Sequence, residues 1–372
     1  MRLAYLLTTL GIGGAERQAL MLAERMEARG HSVLLMILQA RRQNQWPTTL
    51  QTVYLDLRQT PLARFAALTR AVRILRAWQP GLIHSHTFPA NMAARMLHLA
   101  LPHTRVLATI HNVHEGGWRR SLAYRLTDPL SAAATAVSEA VAAHAIATRQ
   151  VPRPKLRVLV NGIDTEVFQP NPQRRCAERA RMNVADEFVW LAAGRVVPAK
   201  DYPNLLRAFA RVRAVQPEAQ LWIAGEAAQG AVERICQEAG DPDSAIPVRW
   251  LGLRRDLPAL MDAADAFVLA SAWEGMPLVV GEAMAMERPV VATDVGGVRE
   301  LQGEAGTRVE AHSAPALAEA MLALMQLSHE ERQAQGRRAR QRIQERFSMD
   351  AMAARWEEFY RTLAHPSGKI SA

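Results

Sequence analysis

Short apolar runs alternate with longer stretches of helical periodicity along nearly the whole chain. The first forty residues read Leu3–Leu7, then Ala15–Arg29 stopping at Gly30, then Val33–Leu38. That is strand, helix with a glycine stop, strand: the rhythm of a parallel sheet. Pro61–Trp78 follows as an amphipathic helix, with Leu62, Phe65, Leu68, Val72 and Leu75 on one stripe. Leu82–His86, Val106–His111, Ala134–Ser138 and Arg157–Val160 continue the strands up to a turn at Asn161-Gly162.

Residues 165–187 break the rhythm with Pro170, Pro172 and a charged run from Arg174 to Arg181, and read as a domain boundary. The pattern then restarts. Strands are expected at Val189–Ala193, Gln220–Ala224, Val248–Leu251, Ala266–Ala270, Pro289–Thr293 and Gly306–Val309, with helices at Asn204–Gln216 and Ala231–Ala239. This predicts an α/β chain of two Rossmann-like domains, 1–170 and 171–372, facing a cleft with ligands beyond the carboxyl ends of the strands. The last helix, Met349–Leu363, carries Met352, Trp356 and Phe359/Tyr360 at helical spacing, a packing stripe that can return to the first domain.

At 372 residues the length suits two domains. Charged residues at 22% and hydrophobic residues at 49% exclude a disordered chain, a collagen-like fibre and a coiled-coil rod. No continuous apolar run is longer than Val33–Leu38, far from the ~20 residues of a membrane-crossing helix. The opening Met1–Leu10 resembles a short signal segment, but it carries one positive charge and leads directly into glycines and a helix, so it reads as a buried strand. Two cysteines, Cys176 and Cys236, with no C-x-x-C pair, exclude a cysteine zinc site and suit a reducing, cytoplasmic compartment.

The net charge of +9 belongs to the first half: residues 1–170 hold 20 Lys/Arg against 9 Asp/Glu, and the rest hold 25 against 27. Such a half attracts an anion: nucleic acid, a membrane surface or a phosphorylated substrate. No basic stripe with interleaved aromatics supports nucleic acid. Trp118, Leu122 and Leu126 sit at i, i+4 spacing beside Arg119, Arg120 and Arg125, which suits a helix lying on an anionic membrane, at the cytoplasmic face. An inward-packed stripe is the rival reading.

Gly11-Ile-Gly13-Gly14-Ala-Glu16 lies between the first strand and the first helix, where bare backbone N–H groups can meet a diphosphate or sugar. A nicotinamide fingerprint is disfavoured, because Glu16 replaces the third glycine and the second strand ends in Gln39-Ala40-Arg41 without an acid. Gly194-Arg195-Val-Val-Pro-Ala-Lys200 takes the same place in the second domain, with two cations astride a short turn. Glu274 and Glu282 are separated by seven residues, the first in a strand-end loop and the second in an apolar helix. Carboxylates so placed accept hydrogen bonds from sugar hydroxyls. His84-Ser-His86 and His111-Asn-Val-His114 have strand-like spacing and are not read as a metal cluster. Asp241-Pro-Asp243 reads as a turn, and no metal is expected.

Gly-Gly-Ala-Glu16, Val-Ser-Glu139, Val-Asn-Gly-Ile-Asp164, Gly-Arg195…Lys200, Glu274-Gly-Met-Pro…Glu282-Ala-Met-Ala and Pro-Val-Val-Ala-Thr-Asp-Val-Gly-Gly297…Glu300 stand in order along the chain. As a set they resemble the family-four retaining glycosyltransferases of the GT-B fold. The resemblance implies that Glu282 binds the ribose of a nucleotide-sugar and Glu274 faces the donor sugar. It further implies that the backbone of Gly275, Met276 and Pro277 lines the sugar-phosphate. Arg195 and Lys200 would neutralise the departing diphosphate, Gly13 and Gly14 lie near it, and His111 is similar to the family's active-site histidine. Two glycines common in the family are missing, after Gly225 and before Pro289, which touches loop geometry only.

The implied chemistry is front-face transfer with retention, the leaving phosphate taking the acceptor proton, and no cofactor beyond the nucleotide-sugar substrate. A UDP-linked donor and a glycan or lipid-linked acceptor, in lipopolysaccharide or exopolysaccharide synthesis, are the expectation. A nucleotide-sugar epimerase on the same fold and a non-enzymatic nucleic-acid-binding protein are the alternatives.

Overall fold

The computed structural model describes residues 1–11, 13–39, 46–57, 60–113, 116–240 and 246–364. Ala40, Arg41, His114 and the Asp241-Pro242-Asp243 turn lie outside them. The chain forms two compact units: Met1–Gly162 with the helix that begins at Met349, and Ile163–Ser348.

The first unit runs β1 (Arg2–Leu7), α1 (Gly14–Ala28), β2 (Ser32–Ile37), β3 (Thr52–Tyr54), α2 (Pro61–Trp78), β4 (Leu82–His86), α3 (Phe88–Ala100), β5 (Arg105–Ile110), α4 (Gly117–Thr127), β6 (Ala133–Ala136), α5 (Glu139–Ala147) and β7 (Leu156–Val158). Its strands are all parallel, in the order β3-β2-β1-β4-β5-β6-β7. Both faces of β1 are covered. Leu3, Tyr5 and Leu7 pack with α1, while Ala4 and Leu6 pack with α2 and α3. Double coverage is why the strand is an unbroken apolar run rather than an alternating one.

Helix α2 has the expected span, capped by Thr60, whose Oγ1 accepts from Ala63 N at 3.4 Å. Its stripe is split, however. Leu75 is buried and Leu68 and Val72 pack against the core, but Leu62 and Phe65 are 79% and 71% exposed. Helical periodicity sets which residues share a face, and it does not set where the helix overhangs its support.

The second unit runs α6 (Pro172–Arg181), β8 (Val189–Ala193), α7 (Tyr202–Val215), β9 (Gln220–Ala224), α8 (Ala231–Ala239), β10 (Val248–Gly252), α9 (Leu257–Ala263), β11 (Ala266–Leu269), α10 (Leu278–Ala285), β12 (Val290–Thr293), α11 (Val298–Gln302), β13 (Thr307–Val309), α12 (Ala314–Gln326) and α13 (His329–Arg346). Its parallel order is β10-β9-β8-β11-β12-β13. The order reverses between β1 and β4 in one sheet and between β8 and β11 in the other, the places where such sheets open a crevice.

The division falls at Gly162/Ile163 rather than in the proline-containing stretch near residue 170. The charged run there is helix α6, tied down by arginines. Arg175 Nη1 donates to the carbonyls of Asp262, Ala263 and Ala264 at 2.8, 3.0 and 2.9 Å, and Arg179 Nη1 to Ala263 O at 2.9 Å. Asp262 and Asp265 take Arg174 and Arg175 as salt-bridge partners. These cations satisfy the bare C-terminal carbonyls of α9. A run that looks like a solvated linker is therefore a packed helix.

The chain then returns to the first unit as α14 (Met349–Ala364), whose Met352, Trp356 and Tyr360 join the core of β1 and α1. Among the described residues no helix is long and apolar enough to cross a membrane.

Candidate active site

In the second unit the residues singled out from sequence gather where β8 and β11 end. Gly194 has φ +152°, and a Cβ there would meet the Lys200 Cε at 2.7 Å. Gly225, ending the neighbouring strand, is tighter still: a Cβ would meet Gly194 O at 1.8 Å. One glycine suffices at 225–226, since Val196 N donates to Glu226 O at 2.8 Å and the loop closes without a second. A single turn over 198–200 then delivers Lys200, and Asp201, with φ +44°, caps α7 through Asn204 N.

Lys200 Nζ lies 2.6 Å from Glu274 Oε1, with 16% and 13% of the two side chains exposed. Ser271 Oγ donates to the same carboxylate oxygen at 2.7 Å, and Thr293 Oγ1 holds Ser271 by its carbonyl at 2.7 Å. Ala272 N donates to Ala199 O at 2.8 Å, lacing the loop after β11 to the turn after β8. Tyr202 Oη donates to Gly194 O at 2.8 Å, and burial raises its phenol well above the usual range. Ser271, Tyr202 and Thr293 support the site without having been singled out from sequence. Ser271 was open to detection, standing three residues before Glu274.

The 274–277 loop is pinned from behind. Gly297 N donates to Gly275 O at 2.8 Å, and a Cβ on Gly296, at φ +53°, would meet Glu274 O at 2.3 Å. Met276 is 6% exposed and Pro277 leads into α10. Glu282 is buried on that helix at 3%. Arg195 is exposed, one residue past Gly194. The structure thus brings Lys200 into contact with Glu274, and leaves Arg195 without a side-chain partner among the described residues.

In the first unit Gly13 precedes α1 with extended backbone and Gly14 opens it. Glu16, in place of a third glycine, accepts a hydrogen bond from Thr9 Oγ1 at 3.2 Å. His111 follows β5. Its Nε2 is 2.9 Å from Nδ1 of His86, at the end of β4, and burial pushes the His111 imidazolium down to about 4. His84 is enclosed, its Nδ1 2.7 Å from Tyr360 Oη and its Nε2 2.7 Å from Thr109 Oγ1. The ring nitrogens of His84 are thus engaged by hydroxyls, and among the described residues no group of three ligands is arranged for a metal ion.

The candidate membrane stripe faces out: Trp118 is 71% exposed, Leu122 42% and Leu126 70%. Arg119 lies over the Trp118 ring and Arg120 over Phe88, at 5.6 and 4.8 Å from the ring centres.

Two family models match the chain: "Glycosyltransferase Family 4" over residues 12–167 and "Glycosyl transferases group 1" over residues 187–327. The EpsF protein of Bacillus subtilis is 32% identical over 38% of this chain and 37% of its own length. A GDP-mannose-dependent alpha-(1-6)-phosphatidylinositol monomannoside mannosyltransferase of Mycobacterium tuberculosis is 28% identical, over 69% of this chain and 70% of that protein. The chain spans less than half the length of the first curated relatives it matches, 37% and 47%. The solved structure of Anabaena Alr3699/HepE in complex with UDP and glucose superposes with a TM-score of 0.85 at 20% identity, over 97% of this chain and 99% of that one. The two-unit α/β fold, the glycine turns that open it and the two models that between them match most of its length place the chain in the family-4, group 1 glycosyltransferases of the GT-B fold.

Proposed function

We propose that this chain is a retaining glycosyltransferase that moves a sugar from a UDP-linked donor to a glycan or lipid-linked acceptor, in the synthesis of an envelope polysaccharide such as lipopolysaccharide or an exopolysaccharide. The observation that carries the reading is the Lys200–Glu274 pair, 2.6 Å apart beside the bare backbone of Gly194. A sugar diphosphate needs both: positive charge at its phosphates and a hydrogen-bond acceptor at its hydroxyls. The family models support a glycosyltransferase, and the mycobacterial relative named for a phosphatidylinositol mannoside supports a lipid-linked acceptor.

In this reading Lys200 and Arg195 stabilise the negative charge that grows on the leaving diphosphate, as preorganised cations do. Glu274 accepts from the donor sugar, Glu282 from the ribose, and the backbone of Gly275, Met276 and Pro277 lines the sugar-phosphate. In the first unit, Gly13 and Gly14 are assigned to donor binding and His111 is the active-site histidine. The bond from the anomeric carbon to the phosphate oxygen breaks, and a bond to the acceptor oxygen forms on the same face. The acceptor's hydroxyl proton passes to the leaving phosphate, so no protein base is consumed. The two cations supply the charge that a metal ion supplies in other folds, and the scheme includes no cofactor.

Docking on the anionic cytoplasmic face of a membrane is part of the same proposal. Its support is the exposed Trp118, Leu122 and Leu126 among Arg119, Arg120 and Arg125, together with the overhanging Leu62 and Phe65 on α2. Apolar groups in the headgroup layer and cations above it both favour adsorption.

The test is release of nucleoside diphosphate from UDP- and GDP-linked sugars, with and without lipid-linked acceptors. Acceptor-dependent release with the donor's anomeric configuration kept in the product is expected. Donor consumption indifferent to acceptor would indicate epimerisation instead, and turnover of GDP-sugars alone would overturn the UDP assignment.

A further inference from the structure

Two donors meet one oxygen of Glu274. Lys200 Nζ lies 2.6 Å and Ser271 Oγ 2.7 Å from Oε1, while Oε2 has no hydrogen-bond partner among the described residues. The backbone of the loop is pinned separately, by Gly297 N on Gly275 O and by the close approach of Gly296 to Glu274 O. Those contacts leave the direction of the carboxylate undecided, because a glutamate has several side-chain torsions and the last of them is broad. Only the donors at Oε1 can set it.

The two donors are unlike. Lys200 reaches in from the turn after β8 on a flexible stem, and its ammonium is a compact charge with rotatable N–H groups. Ser271 is short, fully buried and fixed on both sides. Its carbonyl accepts from Thr293 Oγ1 at 2.7 Å, and the next residue, Ala272, donates to Ala199 O at 2.8 Å. Its hydroxyl is therefore the rigid donor of the pair, in a hydrogen bond of the strong, charge-assisted kind. Lys200 supplies charge and Ser271 supplies direction.

We propose that Ser271 is a positioning residue that clasps Glu274 by Oε1 and so turns Oε2 toward the hydroxyls of the donor sugar. This rests on the glycosyltransferase reading above, in which Glu274 meets the sugar and Lys200 the diphosphate. One cation then has two anions to serve. A carboxylate held by Lys200 alone would lose its direction as the diphosphate drew the ammonium toward itself. With Ser271 on Oε1, Glu274 keeps its direction while Lys200 bonds the phosphate, and the serine exchanges no proton with the substrate. A serine that merely shaped the loop would act differently. Its loss would also disturb Pro277 and Glu282, which follow in the same segment, and with them the binding of bare nucleotide.

The experiment compares the wild type, Ser271→Ala, Glu274→Ala and the double variant. Kinetics use whichever UDP- or GDP-linked sugar the wild type turns over, and calorimetry uses the matching UDP or GDP. Ser271→Ala should lower kcat/KM for the nucleotide-sugar ~10-fold, about the weight of one hydrogen bond to a charged group, and leave affinity for the bare nucleotide unchanged. Denaturant midpoints of the four proteins form a cycle that needs no substrate. Ser271→Ala should lower the midpoint of the wild type but not that of Glu274→Ala. Native kcat/KM in Ser271→Ala would overturn the proposal, as would bare-nucleotide affinity lost in step with activity, or equal midpoint losses in both backgrounds. A wild type that turns over neither donor sinks the glycosyltransferase reading, while the midpoint cycle still decides whether the serine holds the carboxylate.

Discussion

Lys200 Nζ and Glu274 Oε1, 74 positions apart in the chain, lie 2.6 Å from each other. In the proposed mechanism this same cation meets the departing diphosphate. Either alanine replacement, Lys200→Ala or Arg195→Ala, should cut turnover at least ~100-fold, the scale of losing one preorganised contact to developing charge. Steady-state kinetics with saturating donor decides it, and near-native turnover in both variants removes the clamp from the mechanism.

The same pairing separates the two glutamates. In Glu274→Gln the neutral amide no longer competes for Lys200, so a bare nucleoside diphosphate should bind at least as tightly as to the wild type while transfer falls. Glu282→Ala should weaken that binding ~10-fold, by loss of a hydrogen bond between a carboxylate and the ribose. Calorimetry with the nucleoside diphosphate distinguishes them; equal affinities in both variants would contradict the assigned roles.

Gly225→Ala tests the backbone under the site. The new Cβ would fall 1.8 Å from Gly194 O, against backbone that cannot swing aside. A destabilisation of ~1–3 kcal/mol is expected, the usual range for forced overpacking. Denaturant midpoints measure it, and an unchanged midpoint would show the two turns to be farther apart.

On α4, exposure predicts a separation of folding from adsorption. Trp118→Ala, at a site 71% exposed, should leave stability within ~0.5 kcal/mol of the wild type. Changing Arg119, Arg120 and Arg125 to Gln should reduce sedimentation with anionic vesicles, and raised salt should reduce it for the wild type. Equal, salt-insensitive partitioning of both proteins would exclude the membrane proposal.

The buried histidines set a direction for stability with pH. His84, His86 and His111 all have lowered values, His111 from 6.5 to about 4. Between those limits the unfolded chain binds more protons than the folded one, so stability rises with pH through that window and levels off above it. Denaturation midpoints should therefore fall as pH drops from 6.5 toward 4, beyond the fall that carboxylates cause. A flat midpoint across this range would mean that the cluster already carries charge in the folded state.

Much of the fold is legible in the sequence because parallel strands covered on both faces must be apolar at every position, as Leu3–Leu7 and Val189–Ala193 are. Strand β3 escapes the same reading: Thr52–Tyr54 lies at the sheet edge and is only partly covered, so no apolar run marks it. The arginines of α6 mislead for a related reason. Their carbonyl and carboxylate partners near residues 262–265 are distant in sequence, and the run by itself looks like a solvated linker. At the site, Ser271 and Glu274 share a loop and can be read together. The contacts from Lys200 to Glu274 and from His86 to His111 are made by folding, which no local spacing reports.

The terminal helix α14 carries a consequence for how this protein is made. Tyr5, on the first strand, has its hydroxyl 2.9 Å from that of Tyr360, and Met352, Trp356 and Leu363 complete the core around it. A ribosome releases Tyr5 hundreds of codons before Tyr360, whereas everything the second unit needs lies in the continuous stretch 163–348. The second unit can therefore reach its native core while the chain is still growing. The first must wait through most of synthesis with the apolar face of β1 and α1 uncovered, a period in which a nascent chain is exposed to aggregation and to chaperones. A stop codon at Met349, where α14 begins, would remove the lid from the part of the protein that emerged first.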